Sequence, residues 1–524
     1  MKILAMKPGH DGNVALVEDG VLRWQLEAEK DSFPRYEQIT PDLFMRAGRY
    51  METVPDVFAL SGWVKGWHSV EPVVNGGYYG WGDGHKSCET IRFMGQEATL
   101  FSSTHERSHL FCSYGLSPFP QGQPCYALVW EGNLGCFYRI GANLEIERLG
   151  WPLVDPGNKY GQLFGIADPD FPSIKGHFRF SNAGKLMALA AFAKFTPLDH
   201  DGTQLIEQIL ASDGLVRKIE KAQFAWSRYH NIGVTHPDFQ ELAGHFSNRV
   251  FDIFYEFARA NLTEGLPLLI SGGCGLNCEW NSRWARSGLF DAVFVPPCTN
   301  DTGAAIGTAV EAQHHLTGNA KLHDWSVFCG EAFLDDDPVN PAQFSAGPVD
   351  LDEIAARLEA GEIIAWAEGR YEMGPRALGN RSILAEPFSE ATRQRLNAIK
   401  KREDYRPVAA ICLLDGAERW FDGELPGPHM LYFYRVKDDR LKAVTHVDGS
   451  CRVQTVTAAQ NPQIAALLRA FERRTGSAVL CNTSLNFSER GFINRRSELA
   501  SFCWEQGLDG FVANGIHYAR RAHA

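Results

Sequence analysis

Residues 1–27, MKILAMKPGHDGNVALVEDGVLRWQLE, contain three apolar runs separated by two polar turns. The runs are Ile3–Met6, Val14–Val17 and Val21–Leu26, and glycines stand in both turns between them. Short apolar runs bounded by Gly and Asp predict β-strands, and such turns connect strands that lie side by side. The stretch therefore predicts a three-stranded meander whose first corner, Gly9–Gly12, is a polar loop.

A second stretch repeats this pattern about a hundred residues later. Tyr126–Trp130 and Cys136–Ile140 flank the turn Glu131–Gly135, and a third apolar segment, Leu144–Leu149, follows. The repetition predicts two related lobes. Between them and a buried strand at Leu266–Ile270, helix-period apolar spacing predicts a helical insertion with helices at Gly184–Lys194, Leu215–Phe224 and Phe239–Asn261.

The final third of the chain predicts a separate α/β domain. Residues 331–349 contain three Pro, three Asp and Gly347 and carry no regular apolar spacing, which is typical of a linker. The sequence thus predicts a first domain over 1–330, this linker, and a second domain over 350–524. The best helix of the second domain is Pro462–Arg474, with Gly476 as its stop signal.

Composition excludes several functional classes. The 524 residues include 51 Lys and Arg against 63 Asp and Glu, a net charge of −12, and 44% of them are apolar. An acidic chain without a basic tail argues against nonspecific binding to nucleic acid. No apolar run is long enough for a membrane span, and the N-terminus leaves no room for a signal peptide before Pro8. With twelve scattered cysteines, these features predict a cytoplasmic protein with reduced thiols.

Four glycine-containing segments predict a nucleotide site in the first domain. Glycine lets the backbone approach a phosphate or a base closely and adopt positive φ angles. Each segment alone is more simply explained as a tight turn, but their order along the chain resembles the phosphate and adenosine loops of the actin-like ATPases. The four segments are Gly9–Gly12, Glu131–Asn133, Ser271–Asn277 and Asp301–Gly307.

His105-Glu-Arg-Ser-His109 places two imidazoles on one helix face, where they can share a metal ion. Three interpretations compete. The histidines are a coincidental surface pair; or the motif is that of a zinc protease, although Cys112 stands where the longer metzincin motif has Gly; or the two histidines are ligands together with Glu131 and Asp301. We favour the third, because two imidazoles and two carboxylates suit Fe²⁺, Mn²⁺ or Zn²⁺ and the loops are those already assigned to the nucleotide.

A basic cluster in the second domain predicts an anion pocket. Residues 369–406 contain nine Lys and Arg and five Asp and Glu, an excess of four positive charges (9 − 5). Arg370, Arg376 and Arg381 lie in a loop framed by glycines, where arginine forks would bind a phosphate or carboxylate through two hydrogen bonds. For Arg393 and Arg395 a solvated helix face is the simpler explanation.

Together these motifs resemble the O-carbamoyltransferases of antibiotic and nodulation-factor biosynthesis, nearly from end to end. Residues 27–34, EAEKDSFP, are most similar to the hydroxymethylcephem enzymes within that family. The motifs that carry the resemblance are GHDG at 9–12, HxxxH at 105–109, GGxxxN at 272–277, DxG at 301–303, GRxExGPRALG at 369–379, KxRExYRP at 400–407, HVDG at 446–449 with Arg452, and NTSxN at 482–486.

The resemblance implies an actin-like domain of the tRNA threonylcarbamoyltransferase type with duplicated lobes, fused to a YrdC-like α/β domain. The latter would join carbamoyl phosphate to ATP, with Mg²⁺, to form carbamoyl adenylate and pyrophosphate. The former would pass the carbamoyl group to a hydroxyl of a small molecule beside a metal, usually Fe²⁺. A homodimer is compatible with this organisation. The alternatives are a sugar-kinase-like phosphotransferase, which leaves 369–486 without a role, and a nonenzymatic nucleotide sensor.

The resemblance also assigns residues to roles. Asp11, His10 and Lys30 would handle the acceptor proton and the developing negative charge. Glu131 departs from the family, which commonly has Asp there, so direct ligation, an indirect contact and no ligation all stay open. The implied metal ligands are His105, His109, Glu131 and Asp301; the nucleotide-binding residues are Gly12, Gly132, Asn133, Gly272, Gly273 and Asn277; and the carbamoyl-phosphate-binding residues are Arg376, Lys400, Arg406, Arg452, Asn482 and Ser484.

Overall fold

The computed structural model describes residues 1–64, 72–74, 76–171, 180–213 and 220–521. The chain divides into two compact units, one formed by Met1–Leu116 together with Pro296–Ala524 and the other by Ser117–Val295. Among the described residues, no helix combines the length and apolar character that crossing a bilayer requires.

The secondary structure of the described ranges alternates strands and helices. The strands, labelled β1 to β23 in chain order, are Lys2–Lys7, Asn13–Glu18, Val21–Glu27, Val57–Ser61, Trp63–Val64, Pro72–Val74, Lys86–Phe93, Gln96–Ser103, Cys125–Trp130, Gly135–Ile140, Ile146–Gly150, Leu268–Ser271, Val293–Phe294, Phe344–Pro348, Ile364–Ala367, Arg381–Ala385, Ala409–Leu413, Phe421–Asp422, Phe433–Val436, Ser450–Val456, Val479–Ser484, Gly510–Ala513 and Ile516–Arg520. The helices, labelled α1 to α12, are Pro41–Gly48, His105–Leu116, Pro156–Ala167, Phe180–Ala190, His200–Ala211, Pro237–Asn261, Cys278–Ala285, Ala304–Thr317, Leu351–Glu359, Glu390–Ile399, Pro462–Thr475 and Arg496–Gln506.

The N-terminal sheet has the order β3-β2-β1-β4-β8-β7. Its first three strands form the predicted antiparallel meander, with Ile3 opposite Val17, and β4 and β8 then run parallel to β1. Helix α1 packs on the face that carries Leu4, and α8 packs against β1, β2 and β4. Because helices contact the sheet in this way, β1 and β2 read as nearly continuous apolar runs.

The second unit repeats this topology. Its sheet has the order β11-β10-β9-β12-β13, in which β9, β10 and β11 are antiparallel and β12 and β13 run parallel to β9. The equivalence of β1-β2-β3-β4-β8 with β9-β10-β11-β12-β13 confirms the predicted pair of related lobes. Two of the predicted helices are present as α4 and α6; of the third, 215–219 lie outside the described residues and Lys221–Phe224 form a 3₁₀ turn.

The C-terminal sheet has ten strands in the order β14-β23-β22-β15-β16-β21-β17-β20-β19-β18. Helices α9 and α11 cover one face of it. The predicted helix is α11, which begins after the Asn461 cap and ends at Gly476, whose φ is 72°. The edge strand β14 comes from the predicted linker 331–349, so part of that segment belongs to the sheet. The boundaries at 330 and 350 stay a prediction.

Candidate active site

Two histidines of α2 face each other in the interior of the first unit. Helix α2 begins at His105, and Thr104 Oγ1 accepts a hydrogen bond from the Arg107 N–H at 3.1 Å. The spacing of four residues puts His105 and His109 on the same helix face. Their Nε2 atoms are 3.2 Å apart, and both side chains are buried.

Asp301 completes this cluster from the loop before α8. Its Oδ1 lies 3.5 Å from His105 Nε2 and 3.4 Å from His109 Nε2. Its Oδ2 lies 2.7 Å from Lys7 Nζ and 3.7 Å from His10 Nε2. Burial alone would raise the pKa of Asp301, but the charges of Lys7, His105 and His10 hold it well below the usual value. The buried carboxylate is therefore anionic at neutral pH.

The donor set fits a divalent metal ion. Ligand atoms of His105, His109 and Asp301 lie within 4.8 Å of one another, and all three side chains are buried. Two imidazole nitrogens that converge with a carboxylate oxygen are the donors that Fe²⁺, Mn²⁺ and Zn²⁺ accept. Glu131 stands at the end of β9 in the other unit, where its N–H donates to Leu134 O at 2.7 Å. Its ligation stays a prediction.

The loop Gly9–Gly12 brings a second carboxylate next to this cluster. Asp11 has a positive φ of 52°, and its Oδ2 lies 2.9 Å from His10 Nδ1. Gly12 is required here, because a Cβ would lie 2.3 Å from Ile39 N. Asn13 Nδ2 donates to Asp11 O at 2.8 Å and to Asp301 O at 3.0 Å. Asn13 thus ties the loop to the cluster of His105, His109 and Asp301, a role the sequence prediction missed, as it missed that of Lys7.

Lys400, at the end of α10, lies close to Arg402, Arg406 and Arg452. These four cations are called the cationic pocket below. Lys400 Nζ donates to Ser484 O at 2.6 Å, Asn486 O at 2.8 Å and Asn486 Oδ1 at 2.6 Å. Burial, together with the charges of Arg402, Arg35 and Arg406, lowers the pKa of Lys400 well below its usual value. Burial and the neighbouring cations Arg406 and Arg452 likewise lower the pKa of Arg402 to about 9. The positive charges of these side chains repel one another, and an anion bound among them would reduce that repulsion.

Buried polar contacts fix the conformation of the glycine-framed loop 369–379. Glu372 Oε1 accepts the N–H groups of Leu378, Asn380 and Arg381 at 2.6, 2.9 and 3.1 Å. Asn482 Nδ2 donates to Ala377 O at 3.1 Å and to Gln454 Oε1 at 2.9 Å. These bonds fix the loop that carries Arg376.

Arg370 and Arg381, which the sequence predicts as anion ligands, make other contacts; Arg381 begins β16. Arg370 donates to Gly330 O and Cys329 O, at 2.6 and 2.5 Å, and wholly buried Arg381 donates to Glu368 O, Gly369 O and Asn494 Oδ1. Their guanidinium groups therefore donate to backbone carbonyl oxygens, and that of Arg381 also donates to the Asn494 side chain. Anion binding by Arg376, Lys400, Arg406, Arg452, Asn482 and Ser484 stays a prediction.

The predicted adenosine loop is built as the sequence indicates within the second unit. Gly272 has φ 97°, and a Cβ there would lie 2.4 Å from Trp130 O, so only glycine fits. Asn277 caps α7, since its Oδ1 accepts the N–H groups of Glu279 and Trp280 at 3.2 and 3.3 Å. Asn133 Oδ1 accepts from Asn158 Nδ2 at 2.9 Å. Nucleotide binding by Gly12, Gly132, Asn133, Gly272, Gly273 and Asn277 stays a prediction.

Comparison with known proteins identifies the family. Residues 87–310 match the family model described as carbamoyltransferase N-terminus, and residues 355–520 match the one described as carbamoyltransferase C-terminus. The chain belongs to the carbamoyltransferase family. The resemblance and the predicted enzyme class are thereby confirmed. The fold class is also confirmed as mixed α/β, with two sheets of related topology and a third sheet in the region that matches the carbamoyltransferase C-terminus.

Similarity to curated relatives extends over the whole carbamoyltransferase. The chain is 46% identical to a 3'-hydroxymethylcephem-O-carbamoyltransferase of Amycolatopsis lactamdurans, with 99% of each chain covered. It is 44% identical to the protein of the same name from Streptomyces clavuligerus, with 100% of each chain covered. Full-length HypF, in its phosphate- and nucleotide-bound form, matches over 32% of this chain and 25% of its own at 16% identity, with a TM-score of 0.25.

Among the described residues, Lys30 of the carbamoyltransferase contacts the loop 369–379 instead of the cluster of His105, His109 and Asp301. Its Nζ donates to Gly374 O at 2.7 Å and lies 3.3 Å from Glu27 Oε2, and the Gly374 N–H donates to Glu27 Oε1 at 2.6 Å. The Lys30 ammonium also lies 3.8 Å above the ring of Phe492. These contacts hold the loop 369–379 against β3. The catalytic role predicted for Lys30 stays a prediction.

Replacing Glu27 with glutamine is expected to stabilise the carbamoyltransferase increasingly as the pH rises. Burial, opposed by the charge of Lys30, raises the pKa of Glu27 from 4.5 to about 7. Between these values the unfolded chain ionises this carboxyl while the folded chain keeps its proton, so the wild type loses stability as pH rises. The advantage of Glu27→Gln should grow by about 3 kcal/mol from pH 4.5 to pH 7 and then level off.

Urea titrations at several pH values measure this difference in the free energy of unfolding. Glu97→Gln, at an exposed position of β8, is the matched control and should follow the wild type throughout. A Glu27→Gln advantage that does not change with pH would contradict the assignment.

Glu106 tests the protease interpretation of the histidine motif. Its Oε2 accepts the Gly80 N–H at 2.8 Å, and the side chain is wholly buried. Because a glutamine oxygen accepts the same bond, Glu106→Gln should lower carbamoyl transfer by less than about five-fold, the cost of weakening one hydrogen bond. Glu106→Ala, which removes the acceptor, should cost more. Loss of all activity in Glu106→Gln with wild-type stability would favour a protease-like general base.

Proposed function

We propose that this carbamoyltransferase is ATP-dependent and transfers the carbamoyl group, through carbamoyl adenylate, to the hydroxyl of a hydroxymethylcephem. The supporting observation is that one compact unit contains both the buried cluster of His105, His109 and Asp301 and the cationic pocket, whose charges repel one another. The segment 27–39 makes hydrogen bonds to the loop Gly9–Gly12 and to Gly374 of the C-terminal loop 369–379. The His/His/Asp cluster could hold a metal that assists transfer to a hydroxyl, and the cationic pocket could bind a polyanion such as ATP.

Adenylate formation belongs to the cationic pocket in this proposal. Carbamoyl phosphate reacts with water to give carbamate and orthophosphate; a carbamate oxygen then attacks the α-phosphorus of ATP, and pyrophosphate leaves. Apart from water and the proton released on hydrolysis, every reactant and product of these two steps is an anion, and ATP enters with Mg²⁺. Lys400, Arg402, Arg406 and Arg452 supply the positive charge that such a sequence requires.

Transfer belongs to the region of Asp11 in this proposal. The acceptor hydroxyl oxygen attacks the carbamoyl carbon, the bond from that carbon to the AMP oxygen breaks, and AMP leaves. Asp11 accepts the hydroxyl proton, and His10, 2.9 Å away, fixes the orientation of its carboxylate. A divalent metal held by His105, His109 and Asp301, Fe²⁺ as the family suggests, would supply Lewis acidity toward the carbamoyl oxygen.

The acceptor is proposed from the relatives. Two proteins named for hydroxymethylcephem carbamoylation match the whole chain at 46% and 44% identity. The segment EAEKDSFP, residues 27–34, through which the sequence resembles those enzymes, contacts the C-terminal loop and contributes Lys30. A segment placed between the two sites is suited to influence which acceptor is used.

The proposal is tested by incubating the purified enzyme with carbamoyl phosphate, ATP, Mg²⁺ and 3-hydroxymethylcephem acid. We expect pyrophosphate and AMP in solution, and an acceptor whose mass increases by one carbamoyl group. Formation of ADP and a phosphorylated acceptor would instead support the sugar-kinase-like alternative. Carbamoylation without ATP would contradict the adenylate route, and adenylate formation without cephem product would contradict only the acceptor.

A further inference from the structure

Arg35 lies on a segment that connects the two sites. Upstream of Arg35, the Ala28 N–H donates to Gly12 O at 2.7 Å; downstream of it, Glu37 O accepts the Gly12 N–H at 2.8 Å. The backbone on both sides of Arg35 is thus bonded to the loop that carries Asp11. Tyr36 has a positive φ of 63°, a strained conformation for a non-glycine residue and one that marks many ligand sites.

The same segment is bonded to the C-terminal domain next to Lys400. The Arg35 N–H donates to Glu489 O at 3.0 Å, and Arg490 Nη1 donates to Ser32 O at 2.9 Å. Asn486, which accepts two hydrogen bonds from Lys400, donates to Arg490 O at 2.9 Å. Arg35 therefore lies between the Asp11 loop and the cationic pocket.

The guanidinium of Arg35 is fixed at one end and available at the other. Its Nε donates to Glu29 Oε2 at 2.9 Å, and the same oxygen accepts the Tyr36 N–H at 3.1 Å. Glu29 is buried, whereas the Arg35 side chain keeps 31% of its surface accessible. Among the described residues, neither Nη group of Arg35 donates to a protein acceptor. An arginine held this way presents both Nη groups to a planar anion.

We propose that Arg35 binds the carboxylate of the acceptor and is thereby a specificity-determining residue, an inference that rests on the proposed cephem acceptor. In a 3-hydroxymethylcephem acid the carboxylate is on the ring carbon next to the one that bears the hydroxymethyl group. A cation that binds this carboxylate must lie beside the group that takes the hydroxyl proton. Arg35 lies on the segment that is bonded to the Asp11 loop, and its Nη groups are available although its Nε is paired with Glu29. Lys7, in contrast, is wholly buried and paired with Asp301.

The test compares 3-hydroxymethylcephem acid with its methyl ester, which lacks the negative charge. We expect the wild type to prefer the acid by about 100-fold in kcat/KM, the effect of one charge-assisted pair. Arg35→Met should lose this preference by slowing only the acid, and Arg35→Lys should recover part of it. Exchange of pyrophosphate into ATP, which reports adenylate formation without any acceptor, should be unchanged in Arg35→Lys, because lysine keeps the positive charge near Lys400.

Arg490→Met is the matched control, because it removes a cation that holds the same segment but makes its described contact with backbone. A merely structural effect would slow acid and ester equally, as we expect for this control. Equal slowing in Arg35→Met, or a raised KM for carbamoyl phosphate or ATP, would overturn the inference. So would a wild type that uses acid and ester equally well, even if no variant folds. A wild type that carbamoylates neither compound would refute the proposed acceptor and this inference with it.

Discussion

Replacing Lys400 with methionine is expected to lower the rate of pyrophosphate release by about 100- to 1,000-fold, as expected for removal of a preorganised charge from a transition state. The ammonium orders Ser484 and Asn486 through three hydrogen bonds of 2.6 to 2.8 Å, and its charge contributes to a pocket that also contains Arg402 and Arg406. Methionine keeps the length and apolar contacts of the chain but loses both functions.

Lys401→Met is the matched control for this change. Lys401 is adjacent but exposed, so its replacement removes the same charge outside the pocket and should leave pyrophosphate release within about two-fold of the wild type, as for most surface substitutions. A phosphate titration gives a second measurement, since inorganic phosphate should raise the melting temperature of the wild type and of Lys401→Met more than that of Lys400→Met. Wild-type pyrophosphate release by Lys400→Met would place adenylate formation elsewhere.

The sequence predicts the repeated elements of this fold well because their signals are local. The strands of both meanders and the helix Pro462–Thr475 follow from apolar spacing, and the turns at Gly12 and Gly272 follow from glycine. The pairing of His105 with His109 follows from helix periodicity alone. The position of Asp301 beside them was predicted because its loop had already been assigned to the nucleotide site and its carboxylate completes a donor set for a divalent metal.

Residues whose roles depend on long-range contacts were not predictable from local patterns. Lys7 and Asn13 read as single polar residues at the ends of apolar strands, and only the fold brings both to Asp301. Conversely, Arg370 and Arg381 looked like anion ligands, but burial of nearby carbonyl groups requires donors, and the two arginines supply them.

The predicted linker shows the same limit. Gly347 and Pro348 are typical of loops, yet they end β14, the edge strand of the ten-stranded sheet. An edge strand needs a partner on one side only and tolerates proline better than a central strand does. Composition alone therefore does not separate an edge strand from a linker.

Replacing His109 with alanine is expected to remove the bound metal and abolish carbamoyl transfer, while pyrophosphate release continues. The change leaves His105 and Asp301 as the remaining donors of this unit, and loss of one ligand should weaken metal binding by about 100-fold or more. Elemental analysis of the purified protein measures the metal directly, independently of activity. Because Lys400 and its described partners belong to the C-terminal domain, adenylate formation should be largely retained.

His245→Ala is the matched control, since His245 also lies near a carboxylate, 3.4 Å from Glu241, but at the surface. It should keep both the metal and the transfer activity. Treating the wild type with a chelator, then removing the chelator and supplying Mg²⁺ with ATP, should reproduce the His109→Ala phenotype, namely pyrophosphate release without carbamoylated acceptor. Adding Fe²⁺ should restore transfer to the wild type only. If His109→Ala instead lost pyrophosphate release while transferring a supplied carbamoyl adenylate normally, the two sites would have the opposite roles, because each activity would then depend on the other cluster of residues.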